Sequence, residues 1–130
     1  MVHRDQYQYI DPSVLLSAVS EDISSFRSLL NTFLEIAPSM FERLRAAIDS
    51  GDSAAMMRQS HALVGTTGLI GAAEFTELLK VVEYLSRQSE NERVLQYLPE
   101  LVRLFDLVVG EVRLSIAQTD ADILRNNTNL

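Results

Sequence analysis

The chain has 130 residues, of which 47% are hydrophobic, and these values fit a single domain around one core. Its formal net charge of −7 argues against nucleic acid as a partner, because phosphate binding needs concentrated positive charge. Cysteine is absent, which excludes disulfides and thiolate metal sites. There is no apolar stretch of signal-peptide type and no membrane-length apolar run. We therefore expect a cytoplasmic protein that binds neither nucleic acid nor membranes.

The first predicted element is a short helix that begins at Asp11 and Pro12 and ends at about Val19. The carboxylate of Asp11 can accept hydrogen bonds from free backbone amides, and proline is favoured in the first turn. Residues 1–9 precede it as an N-terminal arm, which contains one of the two histidines, His3.

A long second helix follows, with Ser20 as its predicted N-cap and with Glu21 and Asp22 in its first turn. Pro38 lies inside this helix, and we predict a kink rather than a break because the apolar pattern continues in phase beyond it. Gly51 ends the helix. The apolar stripe consists of Ile23, Phe26, Leu30, Phe33, Ala37, Phe41, Leu44 and Ile48.

The third and fourth helices are shorter. The third begins after Asp52, a predicted N-cap, and ends near Gly71, and it carries His61 on its outward side. The fourth runs from about Ala73 to Arg87. The inward residues are Met56, Leu63, Thr67 and Ile70 on the third helix and Phe75, Leu78, Leu79, Val82 and Leu85 on the fourth.

Ser89 and Glu92 have the spacing of a capping box for a fifth helix. Pro99 either bends this helix or marks its start, and the sequence leaves both open. From Thr119 the chain turns polar, so we expect residues 119–130 to form a frayed C-terminal tail. The inward stripe consists of Val94, Leu98, Leu101, Phe105, Val108, Val112 and Ile116.

Four long amphipathic helices with short connections predict an all-α fold. We expect an antiparallel up-down four-helix bundle over residues 10–118, with the short N-terminal helix capping one end. The stripe on the fifth helix suits either a core or a dimer interface, and we expect a monomer.

His61 has little side-chain bulk on one flank. Its neighbours at helical spacing are Met57, Arg58, Val64, Gly65 and Gly68. Each glycine costs a helix about 1 kcal/mol relative to alanine, so two beside one histidine need a reason. That reason is either close approach of a partner surface or tight packing against a neighbouring helix.

The residues near His61 restrict its chemistry. A hydrolase would need an orienting carboxylate or a hydroxyl nucleophile at helical spacing, and a metal site would need further ligands; the neighbouring positions offer none of these. His3 lies in the arm. The remaining role is that of a covalent carrier, because neutral imidazole offers a nitrogen lone pair to a phosphoryl donor whose own protein supplies magnesium.

The stretch from Ser60 to Ala72 resembles the signature of histidine-containing phosphotransfer (HPt) domains. That signature reads histidine, any residue, an aliphatic residue, lysine or arginine, glycine, two small residues, two residues of any kind, an aliphatic residue and glycine. The matching residues here are His61, Ala62, Leu63, Val64, Gly65, Thr66, Thr67, Gly68, Leu69, Ile70 and Gly71. Similar residues elsewhere extend the resemblance to about residues 10–115, namely Asp11, Leu15, Phe26, Leu30, Phe33, Leu44, Asp52, Phe75, Leu79 and Glu83.

The resemblance implies a multistep relay in two-component signalling. His61 would accept a phosphoryl group from an aspartate on one receiver domain and pass it to another, while Gly65 clears the approach. The implied partners are response-regulator receiver domains and a hybrid or sensor histidine kinase. The chain would be a carrier rather than an enzyme, with no cofactor of its own, since the receiver domain contributes Mg²⁺ and most of the catalysis.

One position departs from the signature, because Val64 replaces the basic residue. An exposed charge contact contributes about 0 to 1 kcal/mol, so we expect slower transfer or altered partners rather than loss of the chemistry. Arg58, one turn before His61, and Lys80, roughly level with His61 in a hairpin of the third and fourth helices, are candidate substitutes. Met57 and Val64 would contribute apolar surface for docking.

Two other functions remain open. The chain could bind a receiver domain or another helical protein as an adaptor without carrying phosphate, an alternative that the valine at position 64 keeps open. A weaker hypothesis is an enzyme that uses His61 as a general base. Glu83 is expected to be a structural or surface residue, and Gly71 a helix stop that lets the third and fourth helices pack closely. Gly68 suits either a partner contact or helix packing.

Overall fold

The structure, a computed structural model, describes residues 6–128 and consists of five helices. The bounds are Pro12–Ala18 for α1, Ile23–Ser50 for α2, Ser53–Leu69 for α3, Ala73–Arg87 for α4 and Asn91–Thr128 for α5. Residues 6–128 contain no strand. Each long helix packs against the next along the chain, and α5 returns to α2, while α1 contacts α2 and α3. The predicted antiparallel four-helix bundle with a short N-terminal helix is confirmed.

The core follows the predicted stripes, because helical periodicity places those side chains on the inward faces. Three phenylalanine rings from three helices meet inside it. Phe41 of α2 stacks on Phe105 of α5 with ring centroids 4.4 Å apart, and Phe75 of α4 lies tilted against both. These contacts join α2, α4 and α5 in the core.

The connection from α1 to α2 differs from the prediction. Ser20 and Glu21 have φ angles of 53° and 65°, in the left-handed region, so they end α1 instead of capping α2. The Glu21 N–H donates to the Leu16 carbonyl. The N-cap is Asp22, whose backbone is extended and whose carbonyl accepts from the Phe26 N–H. The prediction of Ser20 as the cap was therefore wrong.

The connection from α4 to α5 also differs from the prediction, because Ser89 and Glu92 do not form a capping box at the start of α5. Ser89 has a φ of 56° and belongs to the end of α4, since the next amide, that of Glu90, donates to the Leu85 carbonyl. The fifth helix begins at Asn91. The Asn91 side chain donates to the Gly51 carbonyl at 2.9 Å and accepts from the Ser53 hydroxyl at 2.5 Å. Asn91 thus links the two connections at this end of the bundle.

Pro38 and Pro99 both lie inside continuous helices. Pro38 is within α2, and Pro99 is within α5, so Pro99 does not mark the start of the last helix. The fifth helix also continues through Thr128, whereas we expected a frayed tail from Thr119. An ion pair stabilises this extension, since Arg27 Nε of α2 lies 2.5 Å from Asp120 Oδ1.

Part of the predicted N-terminal arm is bonded to α5. The carboxylate of Glu111 accepts backbone N–H bonds from Gln8, Tyr9 and Ile10 at 2.7 to 3.1 Å. Ile10 is buried in the core. His3 and the rest of residues 1–5 lie outside the described residues, and the domain boundaries at residues 10 and 118 stay a prediction.

Gly71 ends the third helical segment as predicted, and it also serves a second contact. It has a φ of 69°, and the Ala72 N–H donates to the Thr67 carbonyl. A Cβ at this position would lie 2.5 Å from the carbonyl oxygen of Asp11. Gly71 therefore ends the helix before the turn into α4 and also makes room for the residue that caps α1.

Candidate functional site

His61 lies on the outward face of α3, and its side chain is 75% exposed. Its ring nitrogen Nδ1 lies 2.9 Å from Oε2 of Glu83, a residue of α4 that is only 14% exposed. The same oxygen accepts a hydrogen bond from Nη2 of Arg87, also at 2.9 Å. A chain of three side chains, Arg87, Glu83 and His61, thus joins α4 to α3.

This contact determines which ring nitrogen of His61 is free. An ionised carboxylate can only accept hydrogen bonds, so Nδ1 carries the proton that is donated to Glu83. The lone pair of the neutral ring is then on Nε2. Because most of the ring is exposed, Nε2 can reach a group presented by another molecule.

The positions at helical spacing on α3 offer no orienting carboxylate, but α4 supplies one, Glu83. The signal was present in the sequence: His61 lies ten residues before Gly71 and Glu83 lies twelve after it, so an antiparallel hairpin that turns there places the two side by side. Glu83 is largely buried rather than a surface residue, and its carboxylate joins α4 to α3.

The orienting carboxylate does not by itself make a hydrolase. The hydroxyl groups closest to His61 along α3 are engaged with the helix backbone. Ser60 is buried and donates to the Met56 carbonyl, and Thr66 donates to the Ala62 carbonyl. Neither is a free nucleophile that His61 could activate. Within residues 6–128, no three histidine or carboxylate side chains are grouped to hold a metal ion.

The two glycines beside His61 are not required by packing inside the bundle. A Cβ atom added to Gly65 or Gly68 would have no other part of the bundle within 4 Å. Its only near neighbours would be the adjacent residues and the backbone of the same helix. This excludes tight packing against a neighbouring helix, one of the two reasons considered from the sequence. Close approach of a partner surface, the other reason, stays a prediction.

An apolar groove continues from the glycine flank. It lies between α2 and α3, encloses about 230 Å³ and is lined by Leu29, Ile36, Gly65, Thr66 and Leu69, together with deeper core residues. The three large apolar side chains on its rim are 37 to 45% exposed. We call it the α2–α3 groove. Because Gly65 at its edge lies one helical turn after His61, the groove and the glycine flank form one continuous surface. This surface is apolar and has little side-chain bulk.

The other predicted site residues surround His61 at different depths. Arg58 is exposed, Met57 is half-buried, and Val64 is half-buried against the core. Lys80 lies three residues before Glu83, which places it level with Val64 rather than with His61. Its Nζ is 3.4 Å from Glu77 Oε1 on its own helix. The roles of these four residues toward phosphate or a partner stay predictions.

No helix within residues 6–128 combines the length and the apolar character needed to cross a bilayer.

Comparison with known proteins supplies independent findings. The family model described as Hpt domain matches residues 28–121. The fold is similar to the crystal structure of histidine-containing phosphotransfer protein B (HptB) from Pseudomonas aeruginosa PAO1, with a TM-score of 0.77 and 24% sequence identity over 85% of this chain and 96% of that chain. At this identity the likeness concerns the fold. No curated protein matches the chain.

Proposed function

The chain belongs to the Hpt domain family, the histidine phosphotransfer proteins of phosphorelay signalling, and on this premise we propose that His61 is its phosphoryl-carrying residue. The observation that carries the proposal is the geometry of His61. Its Nδ1 is bound to Glu83, its Nε2 is free, and its flank is cleared by Gly65 and Gly68. No other histidine lies within residues 6–128.

The proposed step is an in-line transfer from an aspartyl phosphate. The Nε2 lone pair of His61 attacks phosphorus, the N–P bond forms, and the P–O bond to the aspartate breaks with its electron pair left on the departing carboxylate. Nδ1 keeps its proton throughout, so the phosphorylated ring is cationic and donates to the Glu83 carboxylate. The reverse step returns the phosphoryl group to a second receiver aspartate.

Members of this family are phosphoryl carriers, and we propose that the partner catalyses the chemistry here. The side chains around His61 orient the ring but offer no cluster that could hold a divalent cation. In the proposed complex, the receiver domain brings the Mg²⁺ that neutralises charge on the transferring group. This chain contributes the nucleophile, its tautomer and an unobstructed approach, with no cofactor of its own.

Hpt domains act with receiver domains and kinases of two-component relays. We propose that the receiver docks on the glycine flank and the α2–α3 groove, because exposed apolar side chains beside a reactive group suit a transient interface. In this arrangement Arg58 and Lys80 lie on either side of His61 along the hairpin. They would supply positive charge that Val64 does not.

The test is phosphoryl transfer from a phosphorylated receiver domain to the purified chain in the presence of Mg²⁺. We expect a phosphoryl group on this chain that is stable in base and labile in acid. His61→Gln should abolish it, whereas the surface variant Gln96→Ala on α5 should transfer as the wild type does. Receiver binding without transfer would instead support the adaptor function. Labelling that persists in His61→Gln would refute His61 as the carrier.

A further inference from the structure

We infer that Arg87 is a positioning residue that acts through Glu83 to weaken the phosphorylated state of His61, and so favours onward transfer over storage. This inference rests on the proposed function. No motif residue of the chain signals it, because Arg87 lies 26 residues after His61 on another helix.

The geometry joins the two cationic groups at one atom. Glu83 Oε2 lies 2.9 Å from His61 Nδ1 and 2.9 Å from Arg87 Nη2. The distance between Arg87 Nη2 and His61 Nδ1 is therefore at most twice 2.9 Å. The Glu83 carboxylate is largely buried, so its oxygen has little access to water and its negative charge acts mainly on these two neighbours.

Phosphorylation of His61 changes the strength of the hydrogen bond between Nδ1 and Glu83 Oε2. In the nucleophilic form of His61 the ring has no charge, and Nδ1 donates a hydrogen bond to the ionised Oε2. After transfer to Nε2 the ring carries a positive charge, so the same hydrogen bond joins two opposite charges, which stabilises the phosphorylated form. Glu83 by itself therefore favours retention of the phosphoryl group.

Arg87 opposes this effect at the shared carboxylate in two ways. It takes part of the accepting capacity of Oε2, and its positive charge offsets part of the negative charge with which Glu83 attracts the cationic ring. Both reduce the stabilisation of the phosphorylated ring. The Arg87–Glu83 pair thus holds the carboxylate in position for Nδ1 while it limits the strength of the interaction.

The test measures the equilibrium ratio of phosphorylated His61 to phosphorylated receiver, with the full chain, a receiver domain and Mg²⁺. Glu83→Gln should lower the ratio about tenfold, because a neutral amide replaces the carboxylate. Arg87→Gln should raise it about threefold, since the guanidinium is half-exposed and its effect is screened. In the double variant Glu83→Gln with Arg87→Gln, the ratio should equal that of Glu83→Gln alone, because Arg87 acts only through the carboxylate.

Arg93→Gln is the matched control. Arg93 is 59% exposed against 58% for Arg87, and it pairs with Glu90 instead of Glu83, so the variant removes the same charge without touching the chain of three side chains. It should leave the ratio unchanged. Thermal unfolding of each variant establishes that the bundle is intact.

Three outcomes would overturn the inference. Arg87→Gln could lower the ratio, which would mean that the guanidinium binds the phosphoryl group directly. Its effect could persist in the Glu83→Gln background, or it could equal that of Arg93→Gln. All three differ from failure of the proposed function, in which the wild-type chain itself accepts no phosphoryl group.

Discussion

Replacement of Gly65 by alanine should stabilise the fold and slow phosphoryl transfer at the same time. A Cβ at this position meets no atom of the bundle within 4 Å, so the substitution introduces no clash. Alanine is favoured over glycine within a helix by about 0.8 to 1 kcal/mol. For a domain of this size, that gain corresponds to a rise in melting temperature of about 4 °C.

The same methyl group should hinder the partner. Gly65 lies one turn after His61 at the edge of the α2–α3 groove, where the receiver is proposed to approach. Because an added group of about one methyl in a closely packed interface causes strain of roughly 1 to 3 kcal/mol, we expect transfer to slow by about tenfold or more.

Gly110→Ala is the control for this experiment. Gly110 is an exposed glycine inside α5, and a Cβ there also meets nothing within 4 Å. It should give a similar rise in melting temperature and leave transfer unchanged. Calorimetry and a single-turnover transfer assay measure the two quantities. The reasoning fails if Gly65→Ala lowers stability, or if it transfers phosphate as fast as Gly110→Ala.

Three further predictions concern other parts of the molecule. Gly71→Ala should destabilise the fold by about 2 to 4 kcal/mol in urea unfolding, because φ is positive and the new Cβ would clash with the Asp11 carbonyl; unchanged stability would contradict the contact. Leu69→Asp should leave the melting temperature nearly unchanged but weaken receiver binding about tenfold by titration calorimetry, and equal affinity would remove the groove as the docking surface. The hydrogen bond from Arg27 lowers the pKa of Asp120, so this pair stabilises the folded state above the ordinary aspartate range and loses that effect as the pH falls. The protection factors of the amides at the end of α5, measured relative to the intrinsic exchange rate at each pH, should therefore fall below about pH 4, and Asp120→Asn should remove this dependence.

The helices and the core could be predicted from the sequence because both depend on periodicity within one segment. Apolar residues such as Phe41, Phe75 and Phe105 recur at helical spacing, and burying them dictates which face of each helix turns inward. The same local rule places His61 opposite the core side and leaves Gly65 beside it. The exposed histidine with a bare flank was thus determined by residues within two helical turns.

The helix ends could not be predicted with the same accuracy. Ser20 and Ser89 are good capping residues by type, yet both adopt left-handed backbone and end the preceding helix. Their conformation depends on where the chain must turn to pack the next helix against the last. The extension of α5 beyond Thr119 likewise brings Asp120 to Arg27 of α2, a contact that no pattern within the last segment indicates.

What only the tertiary structure decided is the environment that gives His61 its chemistry. Glu83 and Arg87 are 22 and 26 residues away in sequence, and only the antiparallel packing of α4 on α3 places their side chains at the imidazole. The sequence by itself determined that a histidine is presented to solvent on a helix. Which of its nitrogens is free follows from a hydrogen bond between two helices, and such a bond has no periodic signature in the chain.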